Sequence, residues 1–296
     1  SGLTINIGSH DTLRRLSERD YRGRICLRIN TGSGAGHHKY VSTGSDAKFG
    51  FSPDQALYLL SSHSSHDFDI VGIHAHAGSG ISPQDMDVHQ SLCRTLGDIS
   101  RSSPIDLEFI DVGGGFGVPY HPEDLSLDLS KVSLEIQKSL GDFSAKLVLE
   151  PGRYIVADAG ILLTKINTIK NLDSHTIVGV DAGMHTLLRP ALYGSYHDIQ
   201  NISSTETKQS LPNTTVTGPI CESADILGVD IELEASATGD ILAIGNAGAY
   251  GEAMESQYNS FPRSATVAID GNNIGLIRKR ETLEDLCSHE HEVGWF

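Results

Sequence analysis

The stretch LEFIDVGGGFG, residues 107–117, decides the fold of this chain. Its apolar first half predicts a strand buried on both faces, and the strand ends at an aspartate and a glycine triplet. Similar strands are predicted at residues 3–7, 25–30, 70–77 and 146–150, with amphipathic helices between them at 11–20, 52–62, 83–100 and 127–140. Buried strands that alternate with helices indicate a parallel sheet, and polar motifs after the strands are typical of a (β/α)8 barrel.

The second half of the chain has a different pattern. Short strand-like segments separated by turns are predicted at residues 161–169, 176–181, 214–217, 240–244, 265–269 and 274–278. We therefore expect a partial (β/α)8 TIM-type barrel domain over residues 1–157 and a mostly antiparallel β-sheet or β-barrel domain over residues 158–296. A closed barrel needs eight strands and five are predicted, so we expect the rest of the barrel to lie outside this chain. An open, doubly wound sheet is the alternative, because five strands suffice for it.

Composition excludes several classes of partner. The 296 residues carry a formal net charge of −16, whereas nucleic acids and anionic membranes are bound by clustered lysine and arginine. The four cysteines form no CxxC pair, so neither a zinc knuckle nor a disulfide framework is predicted. The sequence shows no signal peptide and no apolar run of about 18 residues. We expect a soluble, cytoplasmic protein that binds neither nucleic acid nor membrane.

Five motifs carry the chemistry that the sequence suggests. They are HAHAGSG (74–80), DVGGGFG (111–117), EPGR (150–153), GPICESAD (218–225) and GAY (248–250). In this order they resemble the fold-type III, pyridoxal-phosphate-dependent amino-acid decarboxylases, and within that family most closely the diaminopimelate decarboxylases. The resemblance runs from about residue 5 to residue 286 and implies a barrel followed by a β domain, which favours the barrel over the doubly wound sheet.

The residues themselves indicate why this cofactor suits the chain. A glycine triplet after a strand leaves backbone N–H groups bare for an anion such as a phosphate, and Glu150 ends a strand at the mouth of the predicted barrel. A carboxylate there can keep a pyridine nitrogen protonated. The resemblance implies that Glu150 contacts the ring nitrogen, that His76 stacks on the ring, and that the phosphate is held by Ser79, Gly114, Gly115, Gly152, Arg153 and Tyr250.

The resemblance also implies the substrate contacts. Arg189 and Tyr193, in the run RPALYG, match residues that contact a distal carboxylate, and Arg153 and Tyr250 also face the substrate. Cys221 and Glu222 match a pair that the partner subunit inserts, with the thiol near the reacting carbon and the carboxylate near the distal amine. The implied protein is a homodimer with shared active sites that decarboxylates meso-diaminopimelate to L-lysine, with His76, Glu150 and Cys221 as catalytic residues.

Three alternatives stay open at this point. The substrate can instead be that of an ornithine, arginine or carboxynorspermidine decarboxylase, or the chain can be an inactive, cofactor-binding regulatory relative. His74 and His76 share one face of a strand, which is also how a barrel hydrolase presents a His-x-His pair to a metal ion. In addition, the family attaches its cofactor to a lysine in a Lys-Ala-Asn-like motif, and no lysine of this chain stands in such a motif. The sequence therefore leaves open whether the chain is active by itself.

Overall fold

The computed structural model describes residues 2–32, 34–36, 49–65, 67–203 and 210–294. These form two compact units, Ser1–Ile155 and Val156–Phe296. Each unit has its own hydrophobic core, one built on the strands and helices of the first half and one on the strands of the second. Within the described residues, no helix combines the length and the apolar character that crossing a membrane requires.

The first unit alternates strands and helices as predicted. Its elements are β1 Thr4–Ile7, α1 His10–Ser17, β2 Arg24–Arg28, β3 Ala35–Gly36, α2 Pro53–Ser61, β4 Asp69–His74, β5 Gly78–Ser79, α3 Met86–Ser102, β6 Phe109–Gly114, α4 Leu129–Leu140, β7 Lys146–Glu150 and α5 Arg153–Val156. Five of the strands form a parallel sheet in the order β1-β2-β4-β6-β7, and β3 pairs with β5. The five predicted strands and the four predicted helices are confirmed.

The strand order distinguishes the two predicted architectures. The main strands follow one another across the sheet in chain order, without the reversal that defines a doubly wound sheet. Right-handed connections between successive parallel strands that all step in one direction place the connecting helices on one face of the sheet, as in the wall of a barrel. The barrel prediction is therefore confirmed, and the doubly wound alternative is wrong.

Local sequence signals set the helices of the first unit. Ser52 caps the start of α2 with a capping box. Its hydroxyl accepts a hydrogen bond from the Gln55 backbone N–H, and the Gln55 side-chain oxygen accepts one from the Ser52 backbone N–H. Asp128 begins α4 and accepts from two backbone N–H groups of the first turn. Helices α3 and α4 pack so closely that a Cβ at Gly97 would lie 2.1 Å from the Leu140 carbonyl oxygen. Only glycine fits at that crossing.

The second unit is a mostly antiparallel β domain, as predicted. Its elements are β8 Leu162–Asn171, β9 Thr176–Val180, α6 Arg189–Tyr193, β10 Ile199–Asn201, β11 Leu211–Thr217, β12 Ile226–Leu233, β13 Ile241–Ile244, β14 Thr266–Asp270, β15 Asn273–Arg278 and α7 Leu283–Leu286. Six strands form one sheet in the order β10-β13-β8-β9-β11-β12, and β14 and β15 form a separate hairpin. Among the described residues, β9 and β11 are the one parallel pair of this six-stranded sheet.

Two strands of this sheet have no counterpart among the predicted segments. β12 contains Gly228 and Asp230, and Asp230 has a positive φ of 52° where the register with β11 shifts. Such an irregularity breaks the two-residue alternation that reveals a strand in sequence. β10 is only three residues long, which is too short for a periodic signal.

Candidate active site

Polar side chains lie close together on three neighbouring strands of the first unit, two of them at the carboxyl ends of their strands. His74 closes β4, Glu150 closes β7, and the register pairs His74 with Asp111 of β6. His74 Nε2 lies 3.6 Å from Glu150 Oε2, and the three residues each bring a polar atom within 4.8 Å of the others. His74 and Asp111 are buried, whereas 51% of the Glu150 side chain is exposed. Glu150 is therefore the carboxylate of this cluster that a ligand can reach.

Burial shifts the proton affinity of both buried members of the cluster. Burial lowers the pKa of His74 to about 4, and the charge of Arg28 acts in the same direction. Burial raises the pKa of Asp111 to about 6, with the Glu150 charge adding to the rise, although Asp111 accepts a hydrogen bond from the Gly113 N–H at 2.9 Å. His74 is therefore neutral at pH 7, and Asp111 takes up a proton more readily than an ordinary aspartate.

A hydrogen bond from β1 fixes the tautomer of His74. Asn6 Nδ2 donates to His74 Nδ1 at 2.8 Å, so the proton of the neutral ring sits on Nε2. The spacing of His74, Asp111 and Glu150 suits a divalent ion, but a metal ligand needs the nitrogen lone pair rather than an N–H. We therefore describe the cluster as His74 and Asp111 arranged around the exposed Glu150 carboxylate, rather than as a metal site.

His76, the second histidine of the predicted His-x-His pair, faces the glycine loop. Its Nδ1 accepts from the Gly114 N–H at 3.3 Å, and burial lowers its pKa. The Gly113 N–H is used as well, by Asp111. The prediction that the triplet leaves its backbone N–H groups bare is therefore wrong for Gly113 and Gly114, because the fold uses both donors internally.

The glycine triplet is required by the close packing of neighbouring backbone segments, whether or not an anion binds there. A Cβ at Gly114 would lie 1.9 Å from the carbonyl oxygen of Glu150, and one at Gly115 would lie 2.0 Å from that of Gly78. Gly113 and Gly115 also have positive φ values, 69° and 89°. Any side chain at these positions would push β6 away from its neighbours.

Arg153 and Ser79, two of the predicted phosphate contacts, are hydrogen-bonded to each other. The buried guanidinium of Arg153 donates to Ser79 Oγ at 3.0 Å and to Tyr120 Oη at 2.7 Å. Gly152 before it is exposed and has open space where a Cβ would stand. Both of these partners are neutral hydroxyls, and the planar guanidinium fork is a side chain that suits an anion such as a phosphate. Sequence analysis does not predict Tyr120, because a single tyrosine in a loop carries no periodic or motif signal.

In the second unit, Arg189 is buried at the start of α6. Its guanidinium donates to His197 Nε2 at 2.9 Å and to Ser195 Oγ at 3.2 Å, while His197 Nδ1 donates to the Gly245 carbonyl. Tyr193 ends the same helical turn and is half-buried. The chain from Gly245 through His197 thus fixes the Arg189 side chain in one orientation, and neither His197 nor Ser195 is predicted from sequence.

Cys221 and Glu222 lie side by side and exposed, each held by a residue of one short segment. Asn259 Nδ2 donates to Cys221 Sγ at 3.2 Å, and Tyr258 Oη donates to Glu222 Oε1. The carboxylate raises the pKa of the Tyr258 hydroxyl, because the hydrogen bond favours its protonated form. The structure therefore brings together two motifs that lie 36 residues or more apart in sequence.

The loop that presents Cys221 and Glu222 is organised by Asp225. This carboxylate is buried and accepts from the Ile220 N–H at 2.7 Å and from the Met184 N–H at 2.5 Å. A Cβ at Gly218 would lie 2.3 Å from the carboxylate. The motif GPICESAD carries Asp225, but nothing in the sequence alone distinguishes its structural role from that of any other acidic residue.

Left-handed backbone occurs at Tyr250 and next to Tyr258. Tyr250 has φ 60°, Asn259 has φ 54° and Ser260 has φ 59°. Such conformations are strained for side chains other than glycine, and they cluster at functional positions. The Tyr250 side chain is partly exposed.

We expect Asp111→Asn to become more stable, relative to the unchanged protein, as pH rises from 4 to 7. The folded pKa of Asp111 is about 6, above its value of about 3.8 in an unfolded chain, so its ionisation favours unfolding over that range. Asparagine does not titrate, and the relative gain should reach at most about 3 kcal/mol. Urea unfolding at half-unit pH steps measures it.

Asp124→Asn is the matched control for that measurement. Backbone hydrogen bonds from His121 and Tyr120 lower the pKa of Asp124 below its ordinary value of 3.8, so the stability that they contribute is lost mainly below pH 4. The stability difference between this variant and the unchanged protein should therefore change little from pH 4 to 7. A stability difference for Asp111→Asn that stays constant with pH would contradict the assigned protonation.

The comparisons with known proteins agree with this arrangement. The family model "Pyridoxal-dependent decarboxylase, pyridoxal binding domain" matches residues 2–157, just over half of the chain. The diaminopimelate decarboxylase of Methanothermobacter thermautotrophicus is 42% identical over 97% of this chain and 69% of its own length. That of Neisseria meningitidis is 41% identical over 90% of this chain and 65% of its own length.

Solved structures extend the match to both units. A crystal structure of a single-residue variant of diaminopimelate decarboxylase from Helicobacter pylori, complexed with L-lysine, superimposes with a TM-score of 0.89. It is 36% identical and covers 97% of this chain and 72% of its own. The chain thus spans about two thirds of the length of these relatives, and the resemblance inferred from the motifs is confirmed. The chain belongs to the pyridoxal-dependent decarboxylases, a family of carboxy-lyases that use pyridoxal 5′-phosphate.

Proposed function

We propose that this protein decarboxylates meso-diaminopimelate to L-lysine with pyridoxal phosphate. The observation that carries the proposal is the exposed Glu150 carboxylate beside neutral His74, in the same unit as the buried Arg153. The substrate is supported by the relatives, since both curated ones are diaminopimelate decarboxylases and the similar solved structure contains L-lysine. The chain spans about two thirds of their length, so the activity of the whole protein is part of the proposal.

The donors and acceptors of the first unit fit the cofactor. A phosphate dianion suits the Arg153 guanidinium and the Ser79 hydroxyl, which the structure holds 3.0 Å apart. A protonated pyridine nitrogen suits an exposed carboxylate such as Glu150. We assign the phosphate to Ser79, Gly115, Gly152, Arg153 and Tyr250, with Gly114 lining the site without donating, because its N–H is bonded to His76. We assign the ring nitrogen to Glu150 and the ring face to His76.

The bound cofactor supplies an electron sink for the charge that remains after carbon dioxide leaves. Glu150 serves that sink by holding a proton at the ring nitrogen. His74 is neutral, and its Nε2 faces the Glu150 carboxylate at 3.6 Å, so it does not compete with the ring nitrogen as a second cation. Asp111 accepts a proton more readily than an ordinary aspartate, and a protonated Asp111 spares Glu150 the repulsion of a second negative charge.

The second unit supplies the substrate contacts of the proposal. We assign Arg189 and Tyr193 to the distal carboxylate, Glu222 to the distal ammonium, and Cys221 to the reacting carbon, where its thiol can donate a proton. Arg153 and Tyr250 complete the substrate contacts. In support, Arg189 is already oriented by His197, and the Cys221–Glu222 pair is held by its own hydrogen bonds.

The protein is proposed to act as a homodimer in the cytoplasm, with Cys221 and Glu222 of each subunit completing the site of the other. Exposure of both side chains supports a role at an interface. As substrates, ornithine, arginine and carboxynorspermidine are less well supported than diaminopimelate, because both relatives described above are diaminopimelate decarboxylases. An inactive regulatory role is less well supported, because Glu150 and Arg153 are both present in ordered surroundings.

We expect Glu150→Gln to lose turnover while it still binds pyridoxal phosphate. A neutral amide cannot hold the proton of the ring nitrogen, and the loss should be roughly a hundredfold to ten-thousandfold. The measurement is carbon dioxide release from meso-diaminopimelate by the full-length protein, together with its cofactor content. Glu108→Gln is the control, since Glu108 bonds Arg24 on the same sheet, away from the cluster. Near-normal turnover in Glu150→Gln would refute the assignment of this residue.

Shared sites predict recovery of activity when two inactive variants are combined. Co-expressed Glu150→Gln and Cys221→Ala chains should form mixed dimers in which one of two sites is intact. Random pairing then gives about a quarter of normal activity, because half of the dimers are mixed. The two variants purified separately should each be close to inactive. No recovery, in dimers verified by light scattering, would show that each site is built within one subunit.

Glu222→Gln should reduce discrimination between substrates that differ only in the distal amine. The full-length protein should prefer meso-diaminopimelate over 2-aminopimelate by roughly tenfold to hundredfold in kcat/KM, because a charge-assisted hydrogen bond contributes about 1.5–3 kcal/mol. The variant should lose most of that preference, whereas Glu232→Gln, on the exposed side of β12, should keep it. Equal turnover of both compounds by the unchanged protein would remove Glu222 from substrate recognition.

A further inference from the structure

A polar residue of β1 reaches the candidate site without belonging to any of its motifs. Asn6 lies on the strand at the edge of the parallel sheet, two strands from His74. Its register partner on β2 is the buried Cys26, and its side-chain amide extends past that residue to His74 Nδ1, at 2.8 Å. The contact joins positions 68 residues apart, so it is a product of the fold rather than of local sequence.

The amide decides which ring nitrogen of His74 carries the proton. Because Asn6 Nδ2 can only donate, Nδ1 accepts and Nε2 holds the hydrogen. Nε2 is buried and, in the described part of the chain, has no acceptor within hydrogen-bond distance. Glu150 Oε2 is 3.6 Å away, just beyond that distance. A buried N–H without an acceptor is costly, so the ring favours a Glu150 carboxylate that turns toward it.

Other polar groups of the cluster do not supply that acceptor. Asp111 accepts from the Gly113 N–H through Oδ1, and its carboxyl group also interacts with Glu150 through a side-chain hydrogen bond, so neither contact involves His74 Nε2. Cys26 is a buried thiol, and the guanidinium of Arg28, which stacks on a phenylalanine ring, can only donate. Glu150 is the residue that can satisfy Nε2 and still face solvent.

We propose that Asn6 and His74 are positioning residues: Asn6 fixes the Nε2–H tautomer of His74, and this N–H orients the Glu150 carboxylate toward the ring nitrogen of the cofactor. The inference rests on the proposed function, since the ring nitrogen is the partner assigned to Glu150. The opposite tautomer would turn a lone pair toward a carboxylate, which repels it and would instead suit a metal cation.

The tautomer is measurable without any cofactor. Nitrogen-15 NMR of the imidazole side chains in the ligand-free, full-length protein should show His74 as the neutral Nε2–H form. Asn6→Asp replaces the donor by an acceptor and should place a proton on Nδ1. Thr4→Val is the matched control on the same strand, where Thr4 accepts from Arg24, and it should leave His74 unchanged. An Nδ1–H tautomer in the unchanged protein would overturn the proposal.

A second measurement tests the effect on Glu150. Affinities are compared for pyridoxal phosphate and for its analogue with a CH group in place of the ring nitrogen. The unchanged protein should prefer pyridoxal phosphate by roughly tenfold to hundredfold, since the bond to the ring nitrogen is charge-assisted. Asn6→Leu should reduce this preference by roughly threefold to tenfold, as expected for one lost neutral hydrogen bond, and Thr4→Val should not.

Glu150→Gln separates failure of this inference from failure of the proposed function. If Glu150→Gln keeps the full preference for pyridoxal phosphate, Glu150 does not contact the ring nitrogen and the proposed function loses its central assignment. If Glu150→Gln abolishes the preference but Asn6→Leu keeps it, the function stands and the positioning role of Asn6 and His74 is wrong. If both variants lower the preference in the stated order, the positioning role is supported.

Discussion

The parallel pairing of β4, β6 and β7 is the constraint on which the candidate site depends. Its register places His74 beside Asp111, and Gly114 beside Glu150. The strands approach so closely at Gly114 that no side chain fits between them. A one-residue slip would move each of these side chains to the opposite face of the sheet, so the polar cluster exists only in this register.

Burial then gives similar polar groups different roles. His74 and Asp111 lie inside the sheet, where the low dielectric favours their neutral forms, and Glu150 lies at the exposed end of the same cluster. Arg153 is also buried, and its guanidinium donates to the hydroxyls of Ser79 and Tyr120. The candidate site therefore includes an exposed carboxylate, Glu150, and a buried guanidinium, Arg153, and these groups match the two polar ends of pyridoxal phosphate.

In the second unit, loop contacts rather than a strand register position the candidate residues Cys221 and Glu222. Asp225 gathers backbone N–H groups from two separate loops and so fixes the turn that carries Cys221 and Glu222. Tyr258 and Asn259 then hold the two side chains, and Asn259 adopts a left-handed conformation. Backbone strain of this kind persists only where the surrounding contacts impose it. The exposed thiol and carboxylate are consequently presented in a defined geometry.

The sequence by itself determined the βα alternation, the β domain and the family, because strand and helix periodicity and glycine-rich motifs are local signals. It also identified Glu150, Arg153 and Cys221 as candidates. Only the tertiary structure placed the Asn6 amide 2.8 Å from His74 Nδ1, and only the structure brought Tyr120 to Arg153. These contacts join residues 33 to 68 positions apart, and no periodicity or spacing encodes such a distance. Burial, which sets the charge of His74 and Asp111, is likewise a property of the packed sheet and not of the residues alone.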